Sequence, residues 1–143
     1  MNKSYTLFTD GGARGNPGPA GIGVVIADEN QKVIGQHKKY IGEATNNFAE
    51  YKALILALEK ASQLVSVSAG QLELEVRMDS ELIVRQMQGQ YKIKEPTLKE
   101  LAAEVLKLIK HFKNVEFVHV RREYNKLADK LVNEAIDEQL NIT

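Results

Sequence analysis

The sequence predicts an α/β domain with the element order βββαβααβα. Three β-prone runs separated by short turns open the chain. Beyond them the apolar residues switch between a two-residue and a three-to-four-residue spacing, the periods of strand and helix. No repeat, low-complexity tract or linker interrupts the 143 residues. That length suits one domain, residues 1–143, with a sound hydrophobic core.

The first strand is expected at Tyr5–Thr9, ending at Asp10. The loop after it holds Gly11, Gly12, Gly15, Pro17, Gly18 and Pro19, too rich in turn formers for helix or strand. Ile22–Ala27 is the second strand and, after the polar turn Asp28–Lys32, Val33 to about Ile41 is the third. A helix from about Phe48 to Ser62 carries Ala49, Ala53, Leu54, Ala57, Leu58 and Ala61 at helical spacing, so one face is buried. Gln71–Met78 sets Leu72, Leu74, Val76 and Met78 against Glu73, Glu75 and Arg77, a strand with one wet face. Asp79 and Ser80 begin a short helix that Gly89 ends. Past the connector QYKIKEP, Thr97 and Glu100 form a capping box for a helix with a clean apolar stripe from Leu98 to Phe112. Val115–Val120 is the fifth strand, and Asn125 caps a last helix that turns Leu127, Ala128, Leu131, Val132, Ala135, Ile136 and Leu140 inward.

Composition narrows the function classes. The absence of cysteine excludes disulfides, thiolate metal sites and cysteine nucleophiles. No apolar run approaches the ~20 residues of a membrane span, and no signal segment opens the chain, so a cytoplasmic protein without a membrane partner is expected. A formal net charge of zero means that any nucleic acid must be held by a local basic patch.

Four carboxylates carry the chemical signal. A strand reached through a helix from the third must run parallel to the first or its neighbours. Asp10, Asp79, Glu50 and Asp129 then all fall at the edge beyond the carboxyl ends of the strands, where such sheets bind ligands. Each acid has an ordinary alternative: a turn for Asp10, a capping box with Asn47 for Glu50, a cap for Asp79, simple solvation for Asp129. Four together would repel one another unless cations or protons intervened. Oxygen-only ligands favour Mg²⁺ or Mn²⁺, and clusters of this kind hold two ions roughly 3.5–4 Å apart for phosphoryl displacement.

The motifs TDGGARGNPGPAG, TNNFAEYKAL, MDSELIV and NKLADKLVNEA, in that order, resemble the type 1 ribonuclease H family over about Tyr5–Ile136. The resemblance implies a ribonuclease H-like fold, a five-stranded mixed sheet with helices on both faces. It implies cleavage of the RNA strand of RNA/DNA hybrids by a two-metal-ion mechanism, with 5′-phosphate and 3′-hydroxyl products and a monomeric enzyme. Asp10, Glu50, Asp79 and Asp129 would be its metal-binding catalytic acids. Gly11, Gly12, Asn16, Thr45, Asn46 and Ser80 would contact substrate by reading 2′-hydroxyls and phosphates. Where many relatives place a mobile histidine, the loop reads VRREYN; some relatives carry arginine there, Arg122 fits the spacing to Asp129, and its neighbour Arg121 stays open as the alternative. His119 reads as a strand residue, and Glu81 replaces a substrate-touching glutamine. The missing basic insertion with tryptophans, and the missing extra hybrid-binding domain, imply weaker affinity; the connector offers only Tyr91, Lys92 and Lys94. Two alternatives stay open: a nuclease of this fold acting on double-stranded RNA or a DNA junction, and a binding module, which four retained acids disfavour.

Overall fold

Strand pairing follows from the short turns at the start of the chain and the helical crossovers later. The computed structural model describes residues 3–64 and 68–140. β1 (Lys3–Ala13) pairs antiparallel with β2 (Gly18–Ala27), and β2 antiparallel with β3 (Val33–Ala44). β4 (Leu72–Met78) joins parallel to β1, and β5 (Asn114–His119) parallel to β4. The resulting sheet has the order β3-β2-β1-β4-β5. Helices α1 (Asn46–Ser62), α2 (Glu81–Met87), α3 (Pro96–Ile109) and α4 (Lys126–Leu140) complete the expected element order.

Side-chain alternation assigns the two faces of the sheet. Leu7, Val24 and Ile26 point into the main core with α1, while Val25 packs under Ala128 and Leu131 of α4 with Phe8 beside them. Helices thus cover both faces, as the family fold requires. Each large apolar side chain fully buried there contributes about 1.5–3 kcal/mol. α3 packs on the outer side of α1. Tyr51 and Ile55 are buried along with the expected stripe of α1, in the main core shared with α2 and α3, and the Tyr51 hydroxyl donates to Gln86 Oε1 of α2 at 2.7 Å. Helical spacing reported only the stripe that meets the sheet.

Several boundaries differ from the sequence expectation, each for a long-range reason. β1 does not end at Asp10 but continues to Ala13, with Gly11, Gly12 and Ala13 paired to Ile22, Gly21 and Ala20. Parallel pairing with β4 does stop there, at Thr9–Met78, so Asp10 sits where the β1–β2 hairpin runs on alone. β2 supplies the hydrogen bonds that let two glycines stay extended. α1 starts at Asn46 behind Thr45, whose Oγ1 accepts from Phe48 N at 3.2 Å. α3 is capped by Glu95, whose carboxylate accepts from Thr97 N and Leu98 N at 3.0 and 2.9 Å, rather than by Thr97 with Glu100. Asn125 precedes α4 but spends its amide elsewhere, and Leu140 is 40% exposed rather than turned inward.

Candidate active site

The close approach of two helices to the β1–β2 hairpin builds the site. A Cβ on Gly11 would overlap the backbone of Ala49 and Glu50, so this glycine is what lets α1 lie against β1. That contact brings Glu50 to Gly11, whose N–H donates to Glu50 Oε1 at 2.9 Å. On the opposite face, Gly21 and Gly23 leave room for the backbone of α4 at Val132 and Ala128. Gly23 is the register partner of Asp10, so the approach of α4 carries Asp129, in its first turn, toward Asp10. Asp79 follows β4 directly, and Ser80 caps α2 by accepting from Ile83 N at 3.3 Å.

These elements enclose a cleft of about 410 Å³ lined by Asp10, Glu50, Asp79, Asp129 and Arg122 and, along one wall, by residues 11–14 and α4. Asp10, Glu50 and Asp79 each offer one carboxylate oxygen within 4.8 Å of the others. Asp129 borders the same cleft, with Oδ1 3.6 Å from the Arg122 guanidinium. Asp10 and Glu50 are each only 7% exposed. Burial, with the charges of Asp79 and Asp129, pushes the Asp10 carboxyl up to about 8. Burial, then the charges of Asp10 and Asp79, raises Glu50 well above the ordinary range, against the pull of the Gly11 N–H. Asp79 is raised chiefly by burial and partly restored by Arg122. Such a cluster binds cations or protons avidly and holds a free negative charge poorly.

The other expected site residues divide in two groups. Gly12 lines the cleft, and a Cβ there would meet nothing nearer than Val132 Cγ1 at 3.8 Å, so its space is not used by the protein. Gly11 also lines the cleft, but the room a Cβ would take beside it is filled by α1. Asn16 Oδ1 accepts from Asn46 N, and Asn46 Oδ1 from Ala13 N, each at 2.9 Å. Both side chains therefore tie the loop to α1 and retain their NH₂ groups as possible donors. Glu50 accepts from Gly11 and is not the capping partner of Asn47; Asp79 is not the cap of α2. Arg121 turns toward Glu123 at 3.7 Å and does not line the cleft. Glu81 is held by Arg85 at 2.8 Å, and His119 ends β5 exposed.

The long-range contacts of four residues escaped the sequence reading. Gly21 and Gly23 left a signal, since glycines two apart on a strand mark one face open to close approach. Asn125, 1% exposed, donates from Nδ2 to the Thr9 carbonyl at 2.9 Å and so ties the start of α4 to the residue before Asp10. Arg14 pairs with Asp137 at 2.7 Å and reaches Asn133 Oδ1 at 3.3 Å. Nothing local in the sequence couples residues that far apart.

A mixed sheet of this order with acids gathered at the carboxyl ends of its parallel strands defines a ribonuclease H-like domain. A family model described as reverse transcriptase-like matches residues 8–135. The structure of LC11-RNase H1, isolated from compost by a metagenomic approach, is 58% identical, covers 98% of this chain and 99% of that one, and superposes with a TM-score of 0.90. A crystal structure of LC11-RNase H1 in complex with an RNA/DNA hybrid is similar at 57% identity over 95% of this chain and 99% of that one, with a TM-score of 0.87. The bifunctional protein Rv2228c of Mycobacterium tuberculosis is 43% identical over 132 residues, which is 92% of this chain and 35% of that protein. This chain belongs to the type 1 ribonuclease H family. It spans about a third of the length of the mycobacterial protein.

Proposed function

We propose that this chain hydrolyses the RNA strand of RNA/DNA hybrids at the cluster formed by Asp10, Glu50, Asp79 and Asp129. The observation that carries the reading is the convergence of these acids in one cleft of a chain of the type 1 ribonuclease H family. The hybrid-bound structure of LC11-RNase H1 supports the substrate class. The donors fit a hard divalent cation, Mg²⁺ or Mn²⁺, being carboxylate oxygens without sulfur, three of them mutually within reach. The raised pKa of Asp10 and Glu50 supports the same assignment, because buried acids this close need an offsetting charge. Two such ions, when bound, supply Lewis acidity toward phosphoryl oxygens and a more acidic water.

The chain's own residues orient the rest. In-line attack of water on phosphorus breaks the P–O3′ bond and leaves 5′-phosphate and 3′-hydroxyl ends. Gly12 lets the strand approach the β1 backbone, and the amides of Asn16 and Asn46 with the hydroxyls of Thr45 and Ser80 contact backbone and 2′-hydroxyl oxygens. Arg122 stabilises charge on the scissile or the released phosphate; it cannot act as a base, since its pKa stays above about 12. Matched RNA/DNA hybrid, RNA duplex and DNA duplex, incubated with Mg²⁺, test the reading. Cleavage confined to the RNA strand of the hybrid is expected; equal cleavage of the DNA duplex ends it.

A further inference from the structure

We propose that Arg14, held on α4 by Asp137 and Asn133, binds a phosphate of the cleaved strand beside the scissile linkage. The inference rests on the ribonuclease reading above and adds to it a subsite on the far wall of the cleft. Among the described residues two cations line that cleft, Arg122 and Arg14. Arg122 stands just ahead of α4, against Asp129 in its first turn. Arg14 reaches the same helix later, at Asn133 and Asp137. These lie one and two turns beyond Asp129, about 6 and 12 Å along the axis. Along α4, Asp129 therefore lies between two guanidiniums, and the second is one or two nucleotide steps away.

A polyanion drawn across four carboxylates meets repulsion on either side of the cations they hold. The chain has zero formal net charge, so only a local positive group can offset this. Arg14 is built for that use. Its Nη2 is engaged by Asp137 and Asn133, which fixes the plane of the guanidinium, while the side chain remains 37% exposed. A guanidinium has five N–H donors, and those on Nε and Nη1 suit a phosphate. Asn133 is itself pinned, donating from Nδ2 to the carbonyl of Asp129 at 3.1 Å, so the clamp is tied to the helix turn that carries an active-site acid. Gly12 and Ala13 line the same cleft as the acids and Arg14. As an ordinary surface ion pair Arg14–Asp137 would add little to stability, so removing it leaves the fold intact.

The test compares wild type and Arg14→Ala in hybrid cleavage and in equilibrium binding on an Asp10→Asn background. Arg14→Ala should raise KM and Kd about three- to tenfold, leave kcat within twofold, and flatten the salt dependence of log Kd by roughly 0.7–0.9, the loss of one phosphate contact. Its melting temperature should fall by no more than about 2 °C. Arg14→Lys should keep the salt slope and recover part of the affinity, lacking only the fork. Hybrids carrying one neutral methylphosphonate linkage, moved a nucleotide at a time along each strand, then locate the contact. One RNA-strand position within two nucleotides of the cut should weaken wild type and leave Arg14→Ala indifferent. No such position, a coupled position on the DNA strand alone, or an unchanged salt slope would overturn the inference while wild-type cleavage leaves the ribonuclease reading standing. A wild-type protein that neither binds nor cuts the hybrid overturns both.

Discussion

Replacing Asp10 by asparagine should abolish cleavage and at the same time stabilise the metal-free protein. Asparagine keeps the size and an acceptor oxygen of the carboxylate but carries no charge to bury. Burial and the neighbouring acids lift the Asp10 carboxyl from 3.8 to about 8. At pH 7 the unfolded chain has this group ionised, whereas the folded protein must take up a proton or hold a buried charge. Three units between 3.8 and pH 7 correspond to about 4 kcal/mol at ~1.4 kcal/mol per unit. The cleft is open to water on one side, so about half of that, ~2 kcal/mol, is the expected gain. With an unfolding entropy near 2.1 cal/mol/K per residue, that raises the melting temperature by roughly 6–7 °C. A raised folded-state pKa means that wild-type stability is intact below pH ~4 and is lost as pH climbs toward 8. The two proteins should therefore melt together near pH 4 and separate progressively to about pH 8. Thermal unfolding followed by circular dichroism in EDTA, from pH 4 to 9, measures this. Adding Mg²⁺ should then raise the melting temperature of wild type and do little for the variant. If Asp10→Asn melts at or below wild type at pH 7.5, or its gain is the same at every pH, the electrostatic account of this cluster is wrong.

Three further outcomes are expected. Gly11→Ala should cost about 3 kcal/mol or more in urea unfolding because its Cβ meets the backbone of α1, while Gly12→Ala, with nothing nearer than 3.8 Å, should unfold within ~0.5 kcal/mol of wild type yet lose cleavage at least tenfold. Asn125→Ala should lower stability by about 1–3 kcal/mol by stripping the Thr9 carbonyl of its buried partner, and should reduce kcat more than it changes KM, since the start of α4 loses its tie to β1. Arg122→Ala should slow turnover roughly ten- to a hundredfold, with Arg122→Lys a partial rescue, and Arg121→Ala should be silent; single-turnover rates for the three variants side by side decide it, a damaging Arg121→Ala reversing the assignment.

Local periodicity and hydrogen bonding made much of this protein legible in its sequence. Alternation in Leu72–Met78 announced a strand with one wet face, helical spacing announced the stripe of α1 that meets the sheet, and Ser80 with Gly89 marked the limits of α2. The order of elements, joined to the right-handed crossover, even gathered Asp10, Glu50, Asp79 and Asp129 at one edge. Such signals report what a segment does with its own backbone and which side of it meets apolar surroundings. They do not report which neighbour fills the space beside it. Only the tertiary structure therefore decided that α1 fills the room beside Gly11, that Gly21 and Gly23 seat α4, and that Tyr51 and Ile55 join the main core. The same holds for the tie from Asn125 Nδ2 to the Thr9 carbonyl, and for the turn of Arg122, not Arg121, toward the acids. Each is a contact between residues distant in sequence, and its distance is set by how closely two backbones pack, a quantity that no single segment encodes.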